Sequence, residues 1–209
     1  MKKIFFAPEC FPYVVLFVLI ALVFSFIHPL LSYIPLFFLA FVIFFFRDPQ
    51  REIPSQERIV VAPADGRVIK IEEIYDDKFL KEKAVKISIF LSLFDVHINR
   101  SPVSGVVKFI KYVPGKYNAA CKENAPKTNE RNYIGIENPD IKVLVTQIAG
   151  FIARRIVCNK KVGDSIKRGE KFGLIKFGSC TEIILPQNVE ITVKKGDKIK
   201  GGETIIGRY

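Results

Sequence analysis

The sequence predicts a mainly β protein, in which a compact β-sandwich domain follows an N-terminal hydrophobic helical hairpin. Two observations predict this fold class. A run without Lys, Arg, Asp or Glu extends from Cys10 to Phe46. After it the pattern changes to short segments rich in Val and Ile and bounded by Gly, Pro, Asn or Asp, which is typical of strands. The 209 residues suffice for one medium domain plus an anchor.

The apolar run is too long for a single helix across a bilayer core of about 30 Å. His28 and Pro29 interrupt it and divide it into two spans, Phe11–Ile27 and Leu30–Phe46, each near the lower limit of about 17 residues. A cleavable signal peptide is the alternative, but the run is long for one and lacks a small-residue cleavage site. We predict that residues 1–46 form a membrane-anchoring helical hairpin.

Basic residues flank both ends of the predicted hairpin. Lys2 and Lys3 precede it, and Arg47 and Arg51 follow it. Because positively charged flanks stay inside, both ends and the rest of the chain are expected on the cytoplasmic side of the cell membrane. Residues 47–58, polar and with two prolines, are predicted to be a linker.

Nearly all of the net charge of +11 lies after residue 46, since the hairpin holds only Lys2, Lys3 and Glu9 as charged residues. A basic domain held at a membrane favours attraction to anionic lipid head groups. A generic lysine-rich surface is the open alternative. There is no nucleic-acid-binding motif, so no nucleic acid is expected as a partner.

Neither a metal site nor a redox motif is indicated. The histidines are His28 and His97, and no two cysteines form a C-x-x-C pair. We expect reduced thiols in a cytoplasmic domain. The cysteines are Cys10, Cys121, Cys158 and Cys180.

The candidate strands of the domain share Val and Ile content and flanking turn residues. Ala149–Asn159 fits either a strand or a short helix, and the apolar density of Phe90–Asn99 could include a helical turn. The candidate strands are Ile59–Ala62, Arg67–Ile74, Ala84–Leu91, Gly105–Val113, Asn132–Glu137, Ile141–Ala149, Ile183–Leu185 and Val189–Val193.

An internal repeat marks the domain. Gly163–Glu170 and Gly196–Glu203 both read G-D-x-I-x-x-G-E, which predicts a tight turn between two short strands. The turns resemble those of biotinyl- and lipoyl-type barrel-sandwich domains, and Ala62–Val68 has a similar character. Two copies are too few for a solenoid. Residues 59–209 are therefore predicted to be a barrel-sandwich-like, quasi-symmetric β-rich domain.

Three segments supply an acid, a base and a nucleophile, namely Asp65, His97 and Ser179. A serine needs a base to accept its proton, and a carboxylate can orient that base. In Gly178-Ser179 the hydroxyl could attack the preceding carbonyl, because glycine has no Cβ to hinder it. Each segment also has an ordinary interpretation: an Asp-Gly turn, a structural histidine and a Gly-Ser turn.

In their order along the chain, these segments resemble the phosphatidylserine decarboxylase family, and are most similar to its short, archaeal-type branch. The hairpin contributes to the resemblance. The matching motifs are Pro63–Gly66, Asp95–His97 running into Pro102 and Gly105, Asn129–Asn132, and Gly178-Ser179.

The resemblance implies a self-processing, pyruvoyl-dependent enzyme that converts phosphatidylserine to phosphatidylethanolamine and CO₂. Cleavage between Gly178 and Ser179 would turn Ser179 into the pyruvoyl group. His97 would be the base for cleavage, with Asp65 as its orienting partner, and could later protonate the substrate carbon. The pyruvoyl carbonyl would condense with the substrate amine and act as an electron sink, so no metal is expected.

The resemblance also implies a phospholipid substrate, a membrane, and association of the chain's own two fragments as partners; a homo-oligomer is left open. Arg and Lys are natural ligands for phosphate and carboxylate. The candidate substrate-binding residues are Arg100, Lys116, Arg131, Arg154 and Arg155.

Two positions depart from the long-form pattern of the family. Cys180 stands where those members have a threonine. If the threonine hydroxyl contributes in them, either Cys180 or Thr181 substitutes for it here or the contribution is absent. Phe94 stands where they have a second histidine.

Two other functions are alternatives. A membrane-anchored serine hydrolase using Ser179 lacks a G-x-S-x-G elbow. A lipoyl- or biotinyl-like binding module needs a modifiable lysine between methionines, but the methionine of this chain is Met1.

Overall fold

The computed structural model of the chain describes residues 4–116, 128–150, 155–176 and 179–209. Strands account for 45% of the structure and helices for 20%, and an N-terminal helix pair precedes the β part. The predicted fold class is therefore confirmed. The chain forms two compact units, Met1–Gln50 and Arg51–Tyr209.

The N-terminal unit is a helical hairpin. Helix α1 (Phe11–Ile27) and helix α2 (Tyr33–Phe45) are separated by the 3₁₀ helix Pro29–Ser32. His28 is extended and precedes Pro29, which cannot continue the hydrogen bonding of α1. Together with the 3₁₀ helix Pro8–Cys10, α1 is long and apolar enough to cross a membrane by length and composition.

Short strands lie at the two ends of this unit. Strand β1 (Ile4–Phe6) pairs antiparallel with β2 (Arg47–Pro49). Between the helices, the rings of Phe17 and Phe38 stack with their centroids 5.9 Å apart. The hairpin is thus closed by both backbone pairing and aromatic packing.

The larger unit is built from short strands. In chain order these are β3 (Ile59–Val61), β4 (Gly66–Asp76), β5 (Glu82–Leu91), β6 (Ile98–Arg100), β7 (Gly105–Val113), β8 (Arg131–Glu137), β9 (Lys142–Ala149), β10 (Ile156–Cys158), β11 (Ser165–Ile166), β12 (Lys171–Ile175), β13 (Ser179–Pro186), β14 (Glu190–Ile191), β15 (Lys198–Ile199) and β16 (Ile205–Arg208).

One antiparallel sheet dominates the larger unit. Its strand order is β11-β7-β8-β9-β13-β5-β4-β15, and it curls into a half barrel. Two three-stranded sheets accompany it, β10-β12-β6 and β14-β16-β3. Alternate residues of the large sheet point to one face, here called the inner face, where Ile87, Val145 and Ile183 join the main hydrophobic core.

The repeat noticed in the sequence is a repeat in structure. Gly163 and Gly196 both have φ 99°, and Gly169 and Gly202 have φ 76° and 79°. The Gly163 N–H donates to the Val107 carbonyl and the Gly196 N–H to the Val68 carbonyl, both at 2.8 Å. Strand β11 pairs with the start of β7 as β15 pairs with the start of β4. The half barrel is therefore quasi-symmetric about its middle strands.

The candidate strands predicted from sequence all coincide with strands of the structure, with shifted ends. The ambiguous stretch Ala149–Asn159 contains strand β10 among its described residues. In Phe90–Asn99, β5 gives way to a turn at residues 93–94 and then to β6. The Asp95 N–H donates to the Ser92 carbonyl at 3.0 Å and closes a single turn, which does not extend into a helix.

Candidate active site

Ser179 lies at one edge of the large sheet, and Asp65 lies beside the same edge. Strands β4, β8 and β13 begin at this edge, while β5 and β9 end there. Ser179, the first residue of β13, is opposite Leu91 on one side and Ala149 on the other. The Ala149 N–H donates to the Glu130 carbonyl, and Asp65 directly precedes β4.

The side chain of Ser179 points to the inner face, because directly opposite residues in an antiparallel pair share a face and Leu91 belongs to the core. Ser179 is fully buried. Within the described part of the chain, its hydroxyl oxygen has no hydrogen-bond partner. A buried hydroxyl without a partner is costly, and such groups are often kept for chemistry.

His97 is buried beside the same edge. Its Nδ1 is 3.0 Å from the Asp95 carbonyl oxygen. Because a carbonyl can only accept, Nδ1 carries a proton. In the neutral form of this ring the lone pair is on Nε2. This is the tautomer that a general base needs.

Backbone contacts connect His97 to Ser179. The Ile175 N–H donates to the His97 carbonyl at 3.2 Å. Ile175 packs against Ala149, which is the strand partner of Ser179. His97 and Ser179 therefore lie at corresponding positions along their strands, beside Ile175 and Ala149. Such positions are here called one level of the half barrel.

Asp65 makes a different set of contacts. Its carboxylate accepts hydrogen bonds from Arg51 Nη2 at 2.7 and 2.8 Å and from the Gly201 N–H at 2.8 Å. Burial raises the pKa of Asp65, although the Arg51 charge opposes this, and the nearby Asp95 carboxylate raises it slightly further. The prediction that Asp65 orients His97 stays a prediction, since the imidazole is held by Asp95 and the carboxylate by Arg51.

The repeat explains part of what Asp65 does. In the half of the sheet that contains β7 and β11, Ser104 precedes Gly105 as Asp65 precedes Gly66. Ser104 Oγ accepts a hydrogen bond from the Arg168 N–H at 2.9 Å. Asp65 does the same with the Gly201 N–H. The bond to the facing turn is thus common to both halves, and the bonds to Arg51 are particular to Asp65.

Cys180 and Thr181 lie on opposite faces of β13. Cys180 is packed against Ile148 on the outer face, and burial raises the pKa of its thiol. Thr181 is on the inner face with Ser179, and its hydroxyl accepts a hydrogen bond from Asn99 Nδ2 at 3.0 Å. Of the two residues that could replace the family's threonine, Thr181 shares the face of Ser179.

The candidate substrate-binding residues are dispersed. Lys116 and Arg155 are exposed. Lys116 follows strand β7, which ends at the site edge. The Arg155 carbonyl accepts a hydrogen bond from the N–H of Lys176, the residue after β12. Arg100 is buried and donates to the Gly169 carbonyl at 3.1 Å. Arg154 and Gly178 lie outside the described residues.

Arg131 belongs to the outer face. Its Nε donates to Tyr133 Oη at 2.8 Å, and it lines a cavity of about 280 Å³ together with Lys86, Thr146 and Glu182. Its strand partner Ile148 packs on Cys180, away from Ser179 Oγ. Arg131 is therefore not on the side of the sheet where the serine hydroxyl lies.

Sequence reasoning missed a group of buried polar side chains next to Ser179. Asn99, Asn132 and Gln147 are almost completely buried and hydrogen-bonded to one another and to Thr181. The signal was present, because Asn132 and Gln147 occupy inward positions in strands that otherwise alternate apolar residues on that face. Among residues 4–116, 128–150, 155–176 and 179–209, no cluster of His, Cys, Asp and Glu could hold a metal ion.

The buried Ser179 hydroxyl has no partner among the described residues and is at the same level as His97, whose Nδ1 faces a backbone carbonyl. This arrangement suits nucleophilic chemistry. The family model of phosphatidylserine decarboxylase matches residues 38–207. The chain belongs to the phosphatidylserine decarboxylase family. The resemblance inferred from the motifs is confirmed, and so is the prediction of a decarboxylase enzyme.

Similar proteins cover most or all of the chain. A phosphatidylserine decarboxylase proenzyme of Carboxydothermus hydrogenoformans is 56% identical over 169 residues, covering 80% of this chain and 79% of that protein. A proenzyme of the same name from Symbiobacterium thermophilum is 46% identical and covers 100% of this chain and 97% of its own length. Another, from Syntrophus aciditrophicus, is 42% identical and covers 98% of each.

Proposed function

We propose that this chain is a precursor that cuts itself between Gly178 and Ser179, and that the product decarboxylates phosphatidylserine to phosphatidylethanolamine and CO₂. The observation that carries the proposal is the buried Ser179 hydroxyl, which has no partner among the described residues and lies level with His97. The name proenzyme, given to the similar proteins, supports a maturation step.

Cleavage uses the chain's own atoms. Ser179 Oγ attacks the carbonyl carbon of Gly178 while His97 Nε2 accepts the hydroxyl proton. The C–N bond then breaks, His97 passes this proton to the departing nitrogen of residue 179, and an ester remains. Loss of the Cα proton of residue 179 forms a Cα=Cβ bond and expels Gly178 as a carboxylate. Water replaces the amino nitrogen, which leaves as ammonia, and residue 179 becomes an N-terminal pyruvoyl group.

The surroundings of Ser179 suit such a group. Strand β13 is paired on both sides, so residue 179 is held at the sheet edge by its neighbours β5 and β9. Thr181 and Asn99 give the adjacent inner face polar atoms. When present, a pyruvoyl group supplies a carbonyl that takes up the electrons released as CO₂ leaves. We propose that His97, on the same level, returns a proton to the substrate carbon.

The lipid nature of the substrate suits the rest of the chain. The hairpin has a helix of spanning length, and exposed apolar side chains along it, such as Phe26 and Phe37, favour a lipid environment. Lys116 and Arg155 are exposed and can attract an anionic head group. We propose that the hairpin keeps the enzyme on the membrane that holds its substrate, with the catalytic unit on the cytoplasmic side.

The decisive experiment is the mass of the purified chain. We expect two fragments, residues 1–178 and 179–209, with the smaller one blocked to N-terminal sequencing. Ser179→Ala should stay full-length and lack decarboxylase activity. An intact wild-type chain with full decarboxylase activity would overturn the proposal. An intact wild-type chain that hydrolyses esters would instead favour the membrane-anchored serine hydrolase.

The role of His97 has its own test. His97→Ala should slow cleavage by about 100-fold or more, since a positioned base contributes about 10²–10⁴-fold. Added imidazole should restore part of the rate if the side chain acts as a base. Cleavage of His97→Ala at the wild-type rate would remove His97 from this role.

A further inference from the structure

We propose that Asn99 is a positioning residue: its hydrogen bonds to Thr181 and Gln147 fix strand β6 against β13 and β9, and thereby hold His97 level with Ser179. This inference rests on the proposed self-cleavage. It assigns a role to buried amide side chains that are distinct from the proposed acid Asp65, base His97 and nucleophile Ser179.

The amides form one continuous chain of hydrogen bonds. Asn132 Nδ2 donates to Gln147 Oε1 at 3.0 Å, and Gln147 Nε2 donates to Asn99 Oδ1 at 2.9 Å. Asn99 Nδ2 then donates to Thr181 Oγ1 at 3.0 Å. Each bond orients the next donor, and successive bonds in such chains strengthen one another in a buried setting.

This series of side-chain hydrogen bonds connects strands that are not paired through their backbones. Strands β8, β9 and β13 are neighbours in the large sheet, whereas β6 belongs to the sheet β10-β12-β6. Gln147 is opposite Thr181 in the ladder, and Asn99 reaches both from the other sheet. The Asn99 side chain is therefore a tie between two sheets.

The register of this tie sets the position of His97. Asn99, Gln147, Thr181 and Gly173 lie on one level, since Asn99 is opposite Gly173 in β12. Moving two residues along each strand gives His97, Ala149, Ser179 and Ile175. These form the next level, because the Ile175 N–H bonds to the His97 carbonyl and Ile175 packs on Ala149.

A glycine makes the tie sterically feasible. A Cβ on Gly173 would lie 2.0 Å from the Val157 carbonyl oxygen and 3.1 Å from Gln147 Nε2. Gln147 Nε2 also donates to that Val157 carbonyl, at 3.2 Å. Any larger residue at position 173 would displace the strand β10 or the amide that holds Asn99.

The complete burial of the Asn99 and Gln147 side chains indicates that these amides have a function. Asn99, Gln147 and Thr181 are fully buried, and apolar residues such as Ile89 and Val145 occupy neighbouring inward positions. Burying a polar side chain is costly unless it is hydrogen-bonded, and the amide oxygen and nitrogen of both Asn99 and Gln147 have partners. A fully apolar layer would pack the two sheets together but would not fix their register to within one residue.

The test removes one acceptor without changing shape. Thr181→Val is close in volume but cannot accept from Asn99, and Thr181→Ser keeps the hydroxyl. Following cleavage of newly translated chain on gels, we expect Thr181→Val and Asn99→Leu each to be about 10- to 100-fold slower, because small misplacements of a catalytic group cost this much. Thr181→Ser should stay within about 3-fold of wild type, and the double variant should be no slower than the slower single one.

The matched control is Ser88→Ala, which removes a buried hydroxyl bond to Glu182 on the outer face of the neighbouring strand β5. It should cleave at the wild-type rate. Equal slowing by Ser88→Ala, or wild-type cleavage by Thr181→Val, would overturn the inference.

A second measurement does not depend on cleavage. In a Ser179→Ala background, selective labelling of histidine gives signals from only His28 and His97, and substitution of His28 assigns them. Thr181→Val should shift the His97 ring signals while Ser88→Ala leaves them in place; unchanged His97 signals in Thr181→Val would again contradict the inference. If instead the wild-type chain is not cleaved at all, the proposed function fails, and these signals still decide whether Asn99 positions His97.

Discussion

Asp65 illustrates how one residue can serve the fold and the site together. Its bond to the Gly201 N–H has a counterpart in the Ser104 bond to the Arg168 N–H, so this bond locks a turn in both halves of the unit. The two bonds to Arg51 have no counterpart at Ser104 and place a partly buried charge pair beside the site edge. Sequence reasoning could select Asp65 but could not separate these roles, because the repeat equivalence becomes plain only in space.

Asp65→Asn tests whether the charge matters. The amide oxygen can still accept from Gly201 and Arg51, so we expect a folded chain. If the carboxylate helps His97 through its charge, cleavage should slow by about 10-fold or more. Ser104→Ala, which loses only the equivalent turn bond, should cleave normally; equal rates for Asp65→Asn and wild type would restrict Asp65 to a structural role.

Gly66, next to Asp65, is required by geometry. Its φ is 150°, and an added Cβ would lie 2.2 Å from the Phe90 carbonyl oxygen. Gly196 also has positive φ, 99°, but an added Cβ would meet no atom within 4 Å. Gly66→Ala should therefore lower the free energy of unfolding by about 2–4 kcal/mol, from strain and overlap.

Gly196→Ala is the matched control for that substitution, because it has the backbone strain without the overlap. It should cost about 1–2 kcal/mol. Thermal or urea unfolding of both variants in the Ser179→Ala background measures the difference. Equal losses would mean that the strand pair β4–β5 can open at no cost to accommodate a methyl group.

Strand β13 separates two environments at the scale of an element. Its inner residues Ser179 and Thr181 face the site. On the outer face, Cys180 packs on Ile148, and Glu182 forms an ion pair with Lys86. The alternation follows from the period of two in a strand. The sequence analysis predicted only Ile183–Leu185 as a strand here, because the polar residues that precede it mask the β pattern.

Glu182, on the outer face of β13, makes the folding stability depend on pH. Burial raises its pKa above the ordinary value of 4.5, with Lys86 opposing and Glu72 adding to the shift. A raised carboxyl pKa means that the folded state binds the proton more tightly, so this contribution to stability is present at low pH and is lost as pH rises through the raised pKa.

Glu182→Gln should remove that dependence. From pH 4.5 upward, wild type should lose stability relative to Glu182→Gln, and the difference should level off above the raised pKa. Urea unfolding at several pH values, again with Ser179→Ala to keep the chain whole, measures this. A difference that grows in favour of wild type with rising pH would show that the Lys86 charge outweighs burial.

Much of the whole molecule was predictable, for identifiable reasons. The hairpin break at His28-Pro29 and the strand positions follow from apolar periodicity and from proline. The joining of β6 to the large sheet did not follow, since it depends on a side-chain bond between Asn99 and Thr181, far apart in sequence. Candidate cations such as Arg131 were chosen by type, and only the strand register assigns their faces.

Because the chain forms two compact units, we expect membrane association and self-cleavage to be separable. A chain that begins at Arg47 keeps the Arg51–Asp65 pair and every strand of the large sheet. We expect it to cleave itself while losing membrane association, measured by flotation with anionic vesicles. Failure to cleave would mean that the hairpin is needed for the catalytic unit to fold; unchanged flotation would mean that the basic domain suffices as an anchor.

The position of β13 has a final consequence for the matured enzyme. On the proposed cut, the strand that starts at residue 179 lies between β5 and β9 and is paired along its length with β5. The 31-residue product (179–209) then becomes a tightly held peptide ligand of the larger fragment. Before the cut its effective concentration is set by the covalent link; afterwards, once the two fragments separate, reassembly becomes a bimolecular event. Dilution after denaturation should therefore make unfolding irreversible in the mature enzyme and leave it reversible in the precursor.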